Sequence, residues 1–210
     1  MTDFPSLYTP RLTLRPLVPA DAPRISELAG DARIAATTAA IPHPYHLSDA
    51  EKWIDSLAAD AQTGTAYCFA ITLAGTRTPG RENDLHDTGH LVGSITVREI
   101  YPVHRRAVLG YWIGVPYWNK GFATEAGRAI LQFAFARKNL NRISADHYAS
   151  NPASGRVMQK IGFTYEGLLR QHHLKNGVYE DVVKYGILQE DWIAARKTAR
   201  LHPPAALQTV

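Results

Sequence analysis

Apolar and polar positions alternate over residues 11–18, where Leu12, Leu14 and Leu17 sit among Arg11, Thr13 and Arg15. A period of two marks a strand with one covered face. Pro19-Ala20-Asp21 then opens a helix, with Asp21 as its N-cap. Ser48 and Glu51 have capping-box spacing, and Trp53, Ile54 and Leu57 form the apolar stripe of the helix they start. Residues 66–73 alternate loosely and are rich in β-formers, which predicts a strand. Residues 75–89 carry Pro79, Gly80, Asn83 and Asp84 and read as a long, mobile hairpin loop or insertion. Strands follow at 91–97 and 107–115, a long helix at 124–137, and a strand at 143–148. Residues 151–161 form a short helix stopped by Gly162. Two last strands, 168–173 and 178–188, flank Lys175-Asn176-Gly177, whose Asn-Gly pair is a hairpin signal. The chain stays helix-prone after Trp192, and the pattern is lost at Pro203-Pro204.

Strands that first pair by hairpins and then alternate with helices predict one α+β domain on a mixed sheet. No internal repeat or second domain is visible. The expected division is an N-terminal tail (1–8), one domain (9–192) and a C-terminal helix and tail (193–210).

Composition narrows the class. Of 210 residues, 45% are hydrophobic and 20% charged, as in soluble globular chains. No apolar run reaches the roughly 18 residues of a membrane span. Residues 1–10 lack a basic segment followed by an apolar one, which argues against a signal peptide. Cys68 is the single cysteine, so no internal disulfide or cysteine metal site is expected, in keeping with a cytoplasmic setting. In mid-strand, Cys68 is expected to be buried packing. The 23 Lys and Arg against 19 Asp and Glu give a net charge of +4. That excess suits an anionic ligand such as a nucleotide. Without a dense basic run it argues against a dedicated nucleic-acid binder.

The most informative stretch is Gly110-Tyr-Trp-Ile-Gly-Val-Pro-Tyr-Trp-Asn-Lys-Gly-Phe-Ala-Thr-Glu-Ala126. An aromatic strand ends near Gly114-Val115-Pro116, a short loop contains Gly121, and a helix starts near Thr124. The first amides of a helix lack intrahelical partners and can bind a diphosphate. Gly121 allows close approach, Ala123 is small, and Lys120 adds positive charge. Taken alone, one glycine loop is weak, and an ordinary strand-to-helix turn is the plainer reading. It matches neither G-x-x-x-x-G-K-[ST] nor G-x-G-x-x-G.

Gly110-Tyr-Trp-Ile and Trp118-Asn-Lys-Gly-Phe-Ala-Thr-Glu-Ala126 resemble the acetyl-CoA motif of the GNAT acetyltransferases, and within them the branch of the ribosomal-protein N-terminal acetyltransferases RimJ and RimL. Further segments agree in order: Thr9-Pro-Arg-Leu-Thr-Leu-Arg-Pro16, Asn151-Pro-Ala-Ser154, Lys160-Ile-Gly-Phe163 with Glu166-Gly167 and Arg170, and Gly177 through Asp181 to Tyr185-Gly-Ile-Leu188. The resemblance covers about residues 9–192, nearly the whole chain.

It implies a GNAT fold: a mixed, mostly antiparallel sheet of about seven strands, V-shaped between its central strands and flanked by about four helices. It implies an N-acetyltransferase that uses acetyl-CoA and no metal. The acetyl-CoA site would comprise Ile113, Gly114, Val115, Trp118, Asn119, Lys120, Gly121, Phe122, Ala123, Thr124, Asn151 and Ser154. Amides of residues 119–124 would hold the diphosphate. The pantetheine arm would pair with residues 113–115 like an added strand, on a motif strand that bulges and splays from its neighbour. An amide near Val115 would polarise the thioester carbonyl. Asn151 would bind the arm from the other lip, and Ser154 would protonate the leaving thiolate.

The sequence departs from the family at three places. Trp118 stands where Gln or Arg is usual, but backbone atoms do most of that binding. Met158 replaces the helix Tyr that is the acid in many relatives, and Val108 replaces a strand Glu that serves as base through water. Among Glu99, His104, Asp146 and His147, Glu99 is the candidate base because it ends the strand beside that of Val108. Glu125, in the first helical turn, reads as structural. Tyr111, Trp112, Tyr117 and Trp118 read mainly as core or groove wall. Alternation puts His172 and His173 on opposite faces, so they form no metal clamp. Asp181 either orients substrate or braces the hairpin.

The acceptor implied is a primary amine, either a protein N-terminus, including that of a ribosomal protein, or a small molecule. It would be received by loops at 34–46 and by the last hairpin. Residues 41–45 are expected to run extended beside the cleft. The losses at Val108 and Met158 leave a catalytically silent CoA-binding module as an alternative. The charge leaves a ribosome- or RNA-associated accessory protein. A monomer or a homodimer is compatible with the sequence.

Overall fold

In a computed structural model of the chain, residues 4–74 and 90–201 are described. The expected loop at 75–89 and the end of the expected tail lie outside the described residues.

The strands are β1 (Leu7–Tyr8), β2 (Leu12–Pro16), β3 (Tyr67–Leu73), β4 (Leu91–Tyr101), β5 (Arg106–Ile113), β6 (Arg142–Tyr148), β7 (Thr164–Lys175) and β8 (Val178–Leu188). They form one sheet in the order β1-β2-β3-β4-β5-β6-β8-β7. Neighbours are antiparallel except β5 and β6, which run parallel. The helices are α1 (Ala22–Ala29), α2 (Ala32–Thr37), α3 (Leu47–Thr63), α4 (Phe122–Gln132), α5 (Pro152–Lys160) and α6 (Gln189–Leu201). The expected α+β GNAT architecture is therefore present, with short β1 and α2 added.

Helices cover both faces of the sheet. One layer packs Ile130, Phe133, Phe135 and Met158 against Phe69, Ile71, Ile95 and Ile143. The other packs Ile25, Leu28 and Ile54 against Ala70, Leu91 and Trp112. Burial on both faces is why residues 66–73 alternate so loosely: a central strand has no polar face to show. On β5 the alternation persists. Leu109, Tyr111 and Ile113 face the first layer, and Trp112 faces the second.

The parallel pairing of β5 with β6 runs from Arg106 opposite Arg142 to Leu109 opposite Ala145, and then stops. Beyond it the two strands diverge into a V. The expected bulge in the motif strand is absent, because β4 and β5 keep one register from Gly93 opposite Ile113 to Arg98 opposite Val108. The irregularity lies past Arg98, where Glu99 has φ 52°.

Several local expectations need correction. Asp21 stands at the N-cap of α1 but makes no cap bond. Its carboxylate turns back to hold Arg15 at 2.7 and 2.8 Å and the Val18 amide at 2.9 Å. The α3 cap is His46, not Ser48, and Asp49 accepts the His46 amide at 2.8 Å. Helix α4 starts at Phe122 on Gly121 in the left-handed region (φ 78°), and it ends in a π turn over Phe133–Arg137. His172 and His173 do not point apart. Their rings stack 5.0 Å apart because Gln171, at φ 51° in a register shift of β7, breaks the alternation. At the N-terminus, Leu7–Tyr8 pairs with β2, and Phe4 packs edge-on against Phe69 at 4.8 Å. Helix α6 runs through Trp192, whose ring lies 5.5 Å from Phe135.

The Arg15–Asp21 pair is nearly water-free, with side chains 7% and 3% exposed. Removing one partner strands the other charge. Asp21→Ala is expected to cost about 3–5 kcal/mol in denaturant unfolding.

Candidate active site

The loop after β5 spends its own hydrogen bonds early. Gly114 donates to Val92 O at 2.8 Å, Tyr117 to Gly114 O at 2.9 Å and Trp118 to Val115 O at 3.1 Å. Among the described residues, no acceptor meets the amides of Val115 or of residues 119–124. Those six consecutive residues lead into the α4 N-terminus, where the helix dipole adds partial positive charge. Asn119 (φ 60°) and Gly121 (φ 78°) are both left-handed, which curls the loop ahead of α4. A Cβ at Gly121 would also lie 3.4 Å from Arg11 Nη2.

The loop is clasped by the turn between β1 and β2. Glu125 accepts from the Thr9 hydroxyl at 2.7 Å, the Arg11 amide at 2.9 Å and Arg11 Nε at 2.7 Å. Arg11 Nη1 also reaches Lys120 O at 3.0 Å, and its guanidinium lies over the Phe122 ring. Glu125 is thus structural, as expected. On the other side, Arg24 donates to the Tyr117 hydroxyl at 2.8 Å.

The V supplies the second element. Because Gly114 donates toward β4, alternation turns the peptide groups of Tyr111 and Ile113 into the opening. One acceptor there is already used, since Trp118 Nε1 donates to Ile113 O at 2.6 Å. The far lip is the start of α5, where Asn151 caps the helix by accepting the Ser154 amide at 3.4 Å. Ser154 Oγ lies 2.8 Å from the Tyr111 hydroxyl, which also donates to Ser154 O at 3.0 Å. Burial pushes the Tyr111 phenol up to about 12, the Ser154 bond offsetting part of that rise.

A cleft of about 900 Å³ runs through the V. Ile113, Trp118, Asn119, Gly121, Phe122, Ala123, Thr124, Asn151 and Ser154 all line it. Glu99 does not: it pairs with its neighbour Arg98 and stays half exposed. The carboxylates that do line it are Asp49, Asp60 and Asp146. Asp146 stands one residue past the last β5–β6 pair and binds Lys184 Nζ at 2.5 Å. His147 Nδ1 lies 2.7 Å from Tyr148 O, an acceptor only, so Nδ1 is the donor of that bond. Gly155 is required beside it, because a Cβ there would meet Nε2 at 2.6 Å. Burial pushes the Cys68 thiol up to about 12, which makes it a poor nucleophile.

The far wall is made by the expected acceptor segments. Ala39, Ile41, Tyr45 and Trp53 line it, together with His173 of the last hairpin. Lys175 Nζ joins the hairpin to that loop through Ile41 O at 3.0 Å and Ala39 O at 3.4 Å, and burial lowers its pKa. Asp181 braces the β7 irregularity by accepting the Gln171 amide at 2.7 Å. Among the described residues, no cluster of three or more His, Cys, Asp or Glu could hold a metal. No helix among them is long and apolar enough to cross a membrane.

A V-shaped sheet with bare amides at its mouth is a cleft suited to an anionic ligand, and comparison with known proteins supplies its family. The acetyltransferase (GNAT) domain model matches residues 11–164. The uncharacterized N-acetyltransferase YoaA of Bacillus subtilis is 32% identical over 186 residues, 89% of this chain and 98% of that protein. The ribosomal-protein-serine acetyltransferase of Escherichia coli is 30% identical over 95 residues, 45% of this chain and 53% of that one. Among solved structures, RimL, the ribosomal L7/L12 alpha-N-protein acetyltransferase, in complex with coenzyme A superposes with a TM-score of 0.76 over 88% of this chain and 98% of that chain. At 20% identity that likeness shows the fold. Spermidine N-acetyltransferase from Vibrio cholerae, in complex with CoA and spermine, has a TM-score of 0.72 at 25% identity over 88% and 99% of the two chains. The chain belongs to the GNAT acetyltransferase family. It is an N-acetyltransferase, transferring acetyl to an amine.

Burial alone would raise the Glu125 pKa, but the bonds from Thr9 and Arg11 outweigh it and hold the carboxyl below its ordinary 4.5. A depressed folded value stabilises fully above the unfolded pKa, and the contribution is lost as pH falls through the folded one. Glu125→Gln should therefore cost about 1 kcal/mol near neutrality, in a clasp partly open to water. That difference should shrink below about pH 4 in paired denaturant titrations.

Proposed function

We propose that the cleft holds acetyl-CoA and a primary amine together, and that the amine attacks the thioester directly. The observation that carries this is the run of unpartnered amides at residues 119–124, at the mouth of a sheet that has stopped pairing. A diphosphate fits such a cradle, with Lys120 adding charge. Ile113, Gly114 and Val115 receive the pantetheine arm on one lip, and Asn151 receives it on the other. The Val115 amide donates to the oxygen that gains charge during attack. Ser154 Oγ–H protonates the departing sulfur: the serine O–H bond breaks and an S–H bond forms. The proton shed by the amine nitrogen returns to Ser154 through cleft water.

Attack needs a neutral amine. An α-amine, with a pKa of about 8, is partly neutral at pH 7, whereas a lysine-like amine near 10.4 is seldom so. Glu99 was the expected base, but its place outside the cleft lining favours cleft water as the first proton acceptor. The acceptor is a protein N-terminus, a ribosomal protein's included, or a small amine, with Asp49 and Asp60 available on its side of the cleft. With Cys68 its single cysteine, the chain needs no oxidising compartment, and we place the reaction in the cytoplasm.

Isothermal titration should show CoA binding at micromolar order. Folded protein that binds no CoA would overturn the reading. Ser154→Ala should lower turnover about a hundredfold while leaving CoA affinity near its original value. Unchanged turnover would remove Ser154 from the acid role. Thiol release measured with peptide N-termini, polyamines and aminoglycosides should identify the acceptor.

A further inference from the structure

We propose that Tyr111 is a positioning residue for Ser154, setting which way the serine hydrogen points. The inference rests on the reading of Ser154 as the proton donor. Tyr111 leaves β5 on the α5 side of the sheet and crosses the V, making the only hydrogen bonds between β5 and α5 among the described residues.

The geometry offers one phenolic hydrogen two acceptors, Ser154 O at 3.0 Å and Ser154 Oγ at 2.8 Å. When the phenol donates to the carbonyl, its oxygen is free to accept the serine hydrogen, which then points away from the sulfur. When the phenol donates to Oγ, the serine hydrogen must turn elsewhere, and the cleft is where it can go. The two arrangements differ by rotation of two hydrogens, with no heavy atom displaced. Charge growing on Oγ as it gives up its proton favours the second, because a hydrogen bond to a developing anion is stronger than one to a neutral carbonyl. Burial keeps Tyr111 a neutral phenol at working pH, so the donor is always present. Tyr111 itself transfers no proton.

The rest of the site fits this role. The Tyr111 ring is anchored among core residues, and the Ser154 amide is fixed by the Asn151 cap, so both partners are held from behind. Met158, where an acidic phenol would stand on the same helix, is buried and carries no proton to give. The phenol in this chain thus comes from the strand and reaches the thiolate site through a serine.

Tyr111→Phe removes the hydroxyl and keeps the ring. It should lower kcat about tenfold while KM for acetyl-CoA stays within about twofold, as expected for loss of an orienting partner. Placed in the Ser154→Ala background, the same substitution should cause no further loss, because its effect passes through the serine. Equal loss in both backgrounds, a change confined to KM, or an unchanged kcat in Tyr111→Phe beside a slow Ser154→Ala would each overturn the inference alone. Normal turnover of Ser154→Ala would overturn the acid reading and this inference together. CoA titration and thermal unfolding of each variant establish that the fold is retained.

Discussion

The backbone cannot leave polar groups unpaired without either water or a ligand to meet them. In this chain that constraint is concentrated where β5 parts from β6 after Leu109 and Ala145. On one lip, the peptide groups of Tyr111 and Ile113 lose a neighbouring strand. Just beyond, a tight loop satisfies itself only as far as Trp118, and α4 begins with its amides bare. A sheet that kept pairing would have no room for a substrate. Here the interruption is flanked by regular β4–β5 pairing from Val108 to Ile113 and by an unbroken β6–β8 register, so the gap persists without loosening the core.

The two helical layers divide the work. Helices α4 and α5 lie against the sheet with Leu109, Tyr111 and Ile113 and frame the anion cradle and Ser154. Helices α1 and α3 cover the opposite face and, with Ala39, Ile41 and Tyr45, line the other side of the cleft. Because the V passes between the layers, side chains from both faces border one space. The Glu125 clasp matters here because it joins the β1–β2 turn to the start of α4 from outside the gap, fixing the loop without filling it.

Much of this was legible in the sequence because it is local. The alternation at Leu12 and Leu14, the Asn-Gly turn at 176–177 and the glycine before α4 each state their own geometry. What escaped was non-local or depended on a single backbone angle. Asp21 has an N-cap's position, but a buried arginine six residues earlier claims its carboxylate. His172 and His173 were assigned opposite faces by counting, and the positive φ of Gln171 reversed the count. The motif strand was expected to bulge, yet from Val108 to Ile113 its register against β4 is unbroken and the opening is made on its other edge alone. Glu99 was chosen by its place at a strand end, and a left-handed backbone beyond the last regular pair sets it outside the cleft. The link between Tyr111 and Ser154, 43 positions apart, has no sequence signature at all.

Lys175 ties the last hairpin to the segment ahead of α3, through the carbonyls of Ile41 and Ala39. One ammonium thus couples two stretches 134 and 136 positions apart in the chain. Displacing either stretch must break those bonds or drag the other along.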